Sequence, residues 1–140
     1  MYAEFSENLI TGNALIDAQH QELINKINDF LKTCETSKEL ASAVHTLDYL
    51  ADYTQFHFKE EENLQKSVEY PGLADHLKQH RDFEQALQDL YDMLREEEGP
   101  SPAFVKAVEK NVVDWLYRHI DGFDRSVAEY IQMNNNSERL

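Results

Sequence analysis

From Asn13 to Tyr70, and again from Leu73 to Glu98, the chain runs without a glycine or a proline. Proline removes a backbone donor and glycine loosens the chain, so stretches free of both are what long helices require. The residues of these two types fall at Gly12, at Pro71 and Gly72, at Gly99, Pro100 and Pro102, and at Gly122. An all-β domain needs turn residues every ten residues or so, and that spacing is missing. The expectation is an all-α chain in which Gly12, the Pro71-Gly72 pair and the Gly99-to-Pro102 cluster mark helix boundaries, while Gly122 falls inside the last helix.

Apolar residues recur at steps of three and four within each stretch, the signature of a helix with one buried stripe. The first stripe reads Ile16, His20, Leu23, Ile27, Phe30, Cys34, and the second runs from Ala43 through Leu47, Leu50, Thr54, His57 and Glu61 to Val68. The third begins His76, His80, Phe83 and ends at Leu94; the fourth passes Val105, Val108, Val112, Trp115, His119 and Phe123 toward Tyr130. Four helices joined by short connections make an up-down-up-down antiparallel four-helix bundle the economical fold. With 140 residues the chain is read as one domain. Residues 1–12 are expected to form a short N-terminal arm anchored by Phe5, Leu9 and Ile10, residues 13–133 the bundle, and residues 134–140 a flexible tail.

Thirteen Lys and Arg against 27 Asp and Glu leave a formal net charge of −14. Such a surface repels phosphate backbones and anionic lipid, which excludes nucleic acid and membrane surfaces as partners. A hydrophobic content of 41% is that of a folded domain, so the acidity is not read as disorder. No apolar run approaches the roughly 18 to 20 residues of a membrane span, and the first residues lack the features of a signal peptide. The expected location is cytoplasmic. The acidic triplets Glu60-Glu61-Glu62 and Glu96-Glu97-Glu98 read as solvated faces, with Glu61 alone on a stripe. Cys34, the single cysteine, reads as a small buried hydrophobe.

A bundle core is built from Leu, Ile, Val and Phe, yet His20, His57, His76, His80, His119, Glu61 and, close by, Asp124 occupy or adjoin these stripes. Each buried polar group without a partner costs about 1–3 kcal/mol, and a lone buried carboxylate costs more. Seven such costs would exhaust a typical stability of about 5–15 kcal/mol. One bound cation or a pair of them would compensate all seven together. His76 and His80, four apart, project from one helical face, and His57 and Glu61 repeat the spacing. His119 and Asp124 are five apart, about 140° around an α-helix, so this carboxylate is expected to reach the site from beside the histidine or to meet a second ion. The remaining histidine, His45, lies away from the set.

Five imidazoles and two carboxylates exceed the ligands one ion can take. Two ions sharing the carboxylates as bridges fit the count, three histidines on one and two on the other, with an oxygen bridge completing the cluster. One ion is then a ligand short, which leaves a position for a small diatomic molecule. Nitrogen-rich ligation with some oxygen suits iron, whereas a structural zinc site closes at four ligands and usually includes cysteine.

Taken in order, Ile16-Asp17-Ala18-Gln19-His20, His57-Phe58-Lys59-Glu60-Glu61-Glu62, Tyr70-Pro71 with His76-Leu77-Lys78-Gln79-His80, and Trp115-Leu116-Tyr117-Arg118-His119-Ile120 ending at Asp124 resemble the hemerythrin family over residues 13–131. The resemblance implies that His76, His80 and His119 hold one iron, that His20 and His57 hold the iron left open, and that Glu61 and Asp124 bridge the two, beside an oxo or hydroxo group. It also implies reversible binding of dioxygen at the open iron, and an oxygen pocket walled by Trp115, Leu116 and Ile120 that keeps out water and protons. The N-terminal arm departs from the family in lacking its common tryptophan, with Phe5 as the nearest substitute.

The leading expectation is an oxygen-binding protein for storage, delivery or sensing, the last through a separate redox or signalling protein. The alternative is a diiron enzyme reducing peroxide, nitric oxide or dioxygen, with Tyr53, Tyr117 or Cys34 near the cluster as electron sources. An iron-storage role would need an exit path that the residues do not reveal.

Overall fold

A computed structural model describes the backbone of residues 2–138 and the side chains of residues 2–134. Its helices are α1 (Ala14–Thr36), α2 (Leu40–Ser67), α3 (Leu73–Glu96), α4 (Pro102–Val108), α5 (Asp114–His119) and α6 (Arg125–Glu138). Two π-helical turns, Glu109–Val113 and Ile120–Asp124, join α4, α5 and α6 into one continuous fourth rod. α1 packs on α2, α2 on α3, and α3 on the fourth rod. No strand is present among the described residues.

The ends of the rods follow from local chemistry. The Asn13 side chain accepts the Ile16 N–H at the start of α1, and Ser101 Oγ accepts the Phe104 N–H at 3.1 Å ahead of Pro102. α2 and α3 both stop at a residue with positive φ, Glu69 (54°) and Glu98 (59°), where a returning backbone N–H caps the last turn: Tyr70 to Gln65 O and Gly99 to Leu94 O. At Gly99 the φ is 146°, and a Cβ there would lie 2.5 Å from Lys38 O, so the α3–α4 loop can rest against the α1–α2 loop only with glycine.

The stripes of α1, α2 and α3 are buried as expected up to Glu61; beyond it Gln65 is buried and Leu64 and Val68 are half-buried. The fourth stripe differs. A π turn contains one residue more than an α turn, so it shifts the buried face along the sequence. Phe104, Val108, Val112, Val113, Leu116, Ile120, Asp124 and Val127 are buried, while Trp115 and Phe123, expected on the stripe and lying beyond the first π turn, are only half-buried, as is Val105 ahead of it.

The N-terminal arm lies across the bundle with a 3-10 turn at Glu7–Leu9. Its anchors are Leu9, which is buried, and Ala3, whose N–H and carbonyl pair with both ends of the Asn28 carboxamide at 2.8 and 2.9 Å. Glu4 N–H donates to the Tyr117 hydroxyl at 2.8 Å. Phe5 is half-buried against the core, whereas Ile10, expected as an anchor, points into solvent because the 3-10 turn directs Leu9 inward instead. α6 carries helical backbone to Glu138, through much of the segment expected as a tail; residues 139 and 140 lie outside the described residues.

Because the rods alternate in direction, the histidine-bearing ends of all four meet at the end of the bundle that holds the α2–α3 turn. The opposite end is apolar, built from Phe30, Cys34, Ala43, Leu94 and Phe104.

Candidate metal centre

His20 on α1, His57 and Glu61 on α2, His76 and His80 on α3, His119 ending α5 and Asp124 ending the second π turn are all buried and converge. The π turn is what brings the last two together. Residues five apart stand in a π turn much as residues four apart stand in an α turn, so Asp124 falls in line with His119 rather than 140° away. Nε2 of His119 and Oδ1 of Asp124 are 3.2 Å apart.

The carboxylates divide their oxygens. Oε1 of Glu61 lies 2.7 Å from His76 Nε2 and 3.2 Å from His80 Nε2, while Oε2 lies 3.2 Å from His57 Nε2 and 3.9 Å from His20 Nε2. Oδ1 of Asp124 faces His76 at 3.0 Å and His119 at 3.2 Å, and Oδ2 faces His20 at 2.7 Å. Each carboxylate therefore presents one oxygen to a group of three histidines and the other to a group of two. Ligand atoms of Glu61, His76, His80, His119 and Asp124 lie within 4.8 Å of one another, as do those of His20, His57, Glu61 and Asp124. The first group offers five residues and the second four.

Only some of this proximity is hydrogen bonding, as between His80 Nε2 and Glu61 Oε1 at 3.2 Å and between His76 Nε2 and His119 Nε2 at 2.9 Å. His20 Nε2, Glu61 Oε2 and both Asp124 oxygens are buried without a hydrogen-bond partner despite these short separations. Buried polar atoms gathered this closely without partners are groups that cations would satisfy. The charge state agrees. Burial and the neighbouring Asp124 both oppose ionisation of Glu61, yet His57 and His76 outweigh them and hold its carboxyl down to about 2. Burial likewise opposes the charge of Asp124, and His119 and His20 hold it well below the usual carboxylate range. Burial alone would depress His76, but the adjacent Asp124 and Glu61 carboxylates raise it to about 9. Two carboxylates favoured in their charged form and ringed by imidazoles suit cations, and the residues fit a two-ion centre.

An imidazole that ligates through Nε2 must carry its proton on Nδ1, so the partners of Nδ1 matter. His57 Nδ1 faces Gln19 Oε1 at 2.7 Å, the geometry of an N–H donated to the amide oxygen. His80 Nδ1 faces Glu62 Oε2 at 2.8 Å. His76 Nδ1 faces the Gln65 amide nitrogen at 2.9 Å while Gln65 Oε1 has no partner. Half a revolution of that carboxamide gives Oε1 the His76 proton. Gln19, Gln65 and Glu62 were not singled out by the sequence. Glu62, read as part of a solvated face, has a side chain only 14% exposed, because His80 and Arg81 both bond its Oε2.

Of the expected oxygen-pocket residues, Leu116 and Ile120 are buried in the core. Trp115 stacks on His119, with centroids 4.4 Å apart and planes 12° from parallel, and borders a surface cavity of about 340 Å³ with Lys110, Arg118 and Phe123. Cys34 is buried in the apolar end, not beside the cluster as expected for an electron source, because α1 carries it away from His20. The Tyr117 hydroxyl is engaged with the arm, Tyr53 is half-buried on α2, and His45 is exposed against Tyr49.

The comparisons with known proteins converge on one family. The family model described as hemerythrin HHE cation binding domain matches residues 11–131. A bacteriohemerythrin of Stenotrophomonas maltophilia is 28% identical over 132 residues, covering 94% of this chain and 83% of that protein. One from Aquifex aeolicus is 26% identical, covering 86% of this chain and 90% of its own. A crystal structure of wild-type hemerythrin superposes with a TM-score of 0.77 at 24% identity, over 92% of this chain and 97% of that one, and so shares the fold.

Proposed function

This chain belongs to the hemerythrin HHE cation binding domain family, a family of diiron, dioxygen-binding proteins, and from that membership we propose that His20, His57, Glu61, His76, His80, His119 and Asp124 are its iron ligands. The observation that carries this reading is the division of oxygens: Glu61 and Asp124 each turn one oxygen to His76, a member of the three-histidine group, and the other to the two-histidine group. The group of His20 and His57 supplies one ligand fewer, so the vacancy for a diatomic falls there. A reduced iron pair held by these residues would lend electrons to dioxygen on binding and take them back on release.

The surrounding residues serve that reversibility. Leu116 and Ile120 present hydrocarbon in the buried layer, which excludes the water and protons that would carry bound oxygen away as peroxide. Thr54, one turn before His57 and fully buried, donates its hydroxyl to Leu50 O at 2.7 Å, so its proton stays within α2. Gln19 fixes the His57 ring and leaves Nε2 for the ion.

The role is storage, delivery or sensing of dioxygen in the cytoplasm, with sensing relayed to a separate redox or signalling protein. In the deciding experiment the iron-loaded protein is reduced and exposed to air, then stripped of oxygen while optical spectra are recorded alongside iron stoichiometry. About two iron ions per chain and an oxygen-dependent charge-transfer band that disappears on deoxygenation are expected. Immediate oxidation with no reversible band rejects the carrier reading and turns attention to turnover of peroxide and nitric oxide.

A further inference from the structure

The five histidines differ in what holds the nitrogen turned away from the centre. His57 and His76 face neutral carboxamides, and Nδ1 of His20 and of His119 has no hydrogen-bond partner. His80 alone faces a charged group, Glu62, at 2.8 Å. Its ring is held in that direction by Phe58, stacked 3.8 Å away with planes 5° from parallel. The Glu62 oxygen that meets His80 also accepts from Arg81 at 3.0 Å, and Arg81 in turn pairs with Glu84 at 2.9 Å, its own side chain 55% exposed.

We propose that Glu62, tempered by Arg81, sets the reduction potential of the ion on the His76, His80 and His119 side through the His80 Nδ1–H hydrogen bond. A carboxylate accepting that N–H draws the proton toward itself and pushes electron density to Nε2, making His80 a stronger donor to the more highly charged ion. The oxidised state gains more than the reduced one, so the potential falls. Arg81 competes for the same oxygen and weakens the pull. Glu62 is therefore a positioning and tuning residue, acting through His80, and the two ions become electronically unequal because the His20 and His57 side has no charged counterpart. The inference rests on the diiron reading above.

The test uses the iron-loaded full chain and its Glu62→Gln, Arg81→Gln and Glu60→Gln variants, with iron stoichiometry and spectroelectrochemical midpoint potentials as readouts. Glu60 is the control: it is the exposed neighbour in the same acidic triplet and carries the same charge. Glu62→Gln is expected to shift the midpoint to more positive potential, Arg81→Gln to more negative potential, and Glu60→Gln to leave it in place. An unmoved Glu62→Gln, or a Glu60→Gln shift as large as that of Glu62→Gln, overturns the proposal while leaving the diiron reading intact. Should Glu62→Gln lose iron, Arg81→Gln decides, since it keeps the His80 hydrogen bond; the absence of a negative shift then rejects the idea. A wild-type chain that does not take up two iron ions overturns the diiron reading itself, and this proposal with it.

Discussion

Cys34 lies on α1 about 21 Å from His20 by helical rise, fully buried, and burial pushes its thiol up to about 11. A neutral, enclosed thiol does not react, because the thiolate is the nucleophile. Incubation with a thiol-specific chromogenic reagent at pH 8 is expected to leave Cys34 unlabelled in the native protein and to label it fully in denaturant; rapid native labelling would contradict its placement. Residue by residue, the sequence revealed what was chemically out of place. Seven ionisable groups on or beside apolar stripes announced themselves, since nothing else accounts for them there. Gln19, Gln65 and Glu62 did not, because a glutamine or glutamate one step off a stripe is ordinary helix surface. Their role depends on which neighbouring rod comes within hydrogen-bond reach, and that is a property of packing.

Among the elements, the breaks at Pro71-Gly72 and Gly99-Pro100 located the rod ends correctly, because turn chemistry is local. The two π turns were not readable, since an extra residue in a turn leaves no mark on composition. A π turn is equivalent to one residue inserted in an α-helix, and that has a consequence for Gly122, whose position faces open space. Deleting Gly122 turns the π turn into an α turn and keeps Asp124 and Val127 facing inward, so iron content close to wild type is expected. Inserting one alanine after Gly122 rotates everything beyond by about 100°, and iron binding should collapse. Equal iron content in the two variants would show that the register of the turn is irrelevant. At the other end of the bundle, Gly99→Ala places a methyl group on Lys38 O at a positive φ. It should destabilise the fold by at least about 2 kcal/mol in denaturant unfolding, without changing iron stoichiometry.

As a whole the molecule has two ends of different make. The bundle beyond Leu23 is hydrocarbon packed on hydrocarbon, with Phe30 and Phe104 edge to face at 5.9 Å. The other end gathers two carboxylates and five imidazoles, several with unmet hydrogen bonds that cations would relieve. Removing iron is expected to loosen one end and spare the other. Hydrogen exchange of the metal-free chain should show fast amides around Gln19–Leu23, His57–Gln65 and 119–124, and slow ones around 27–34 and 87–94; uniform loss of protection would mean a single cooperative unit. The contact of Gly99 with Lys38 ties together both loops at the apolar end. Its consequence is one of maturation: the apolar end holds none of the seven ligands, so a newly made chain is expected to close and lock there before any metal is bound.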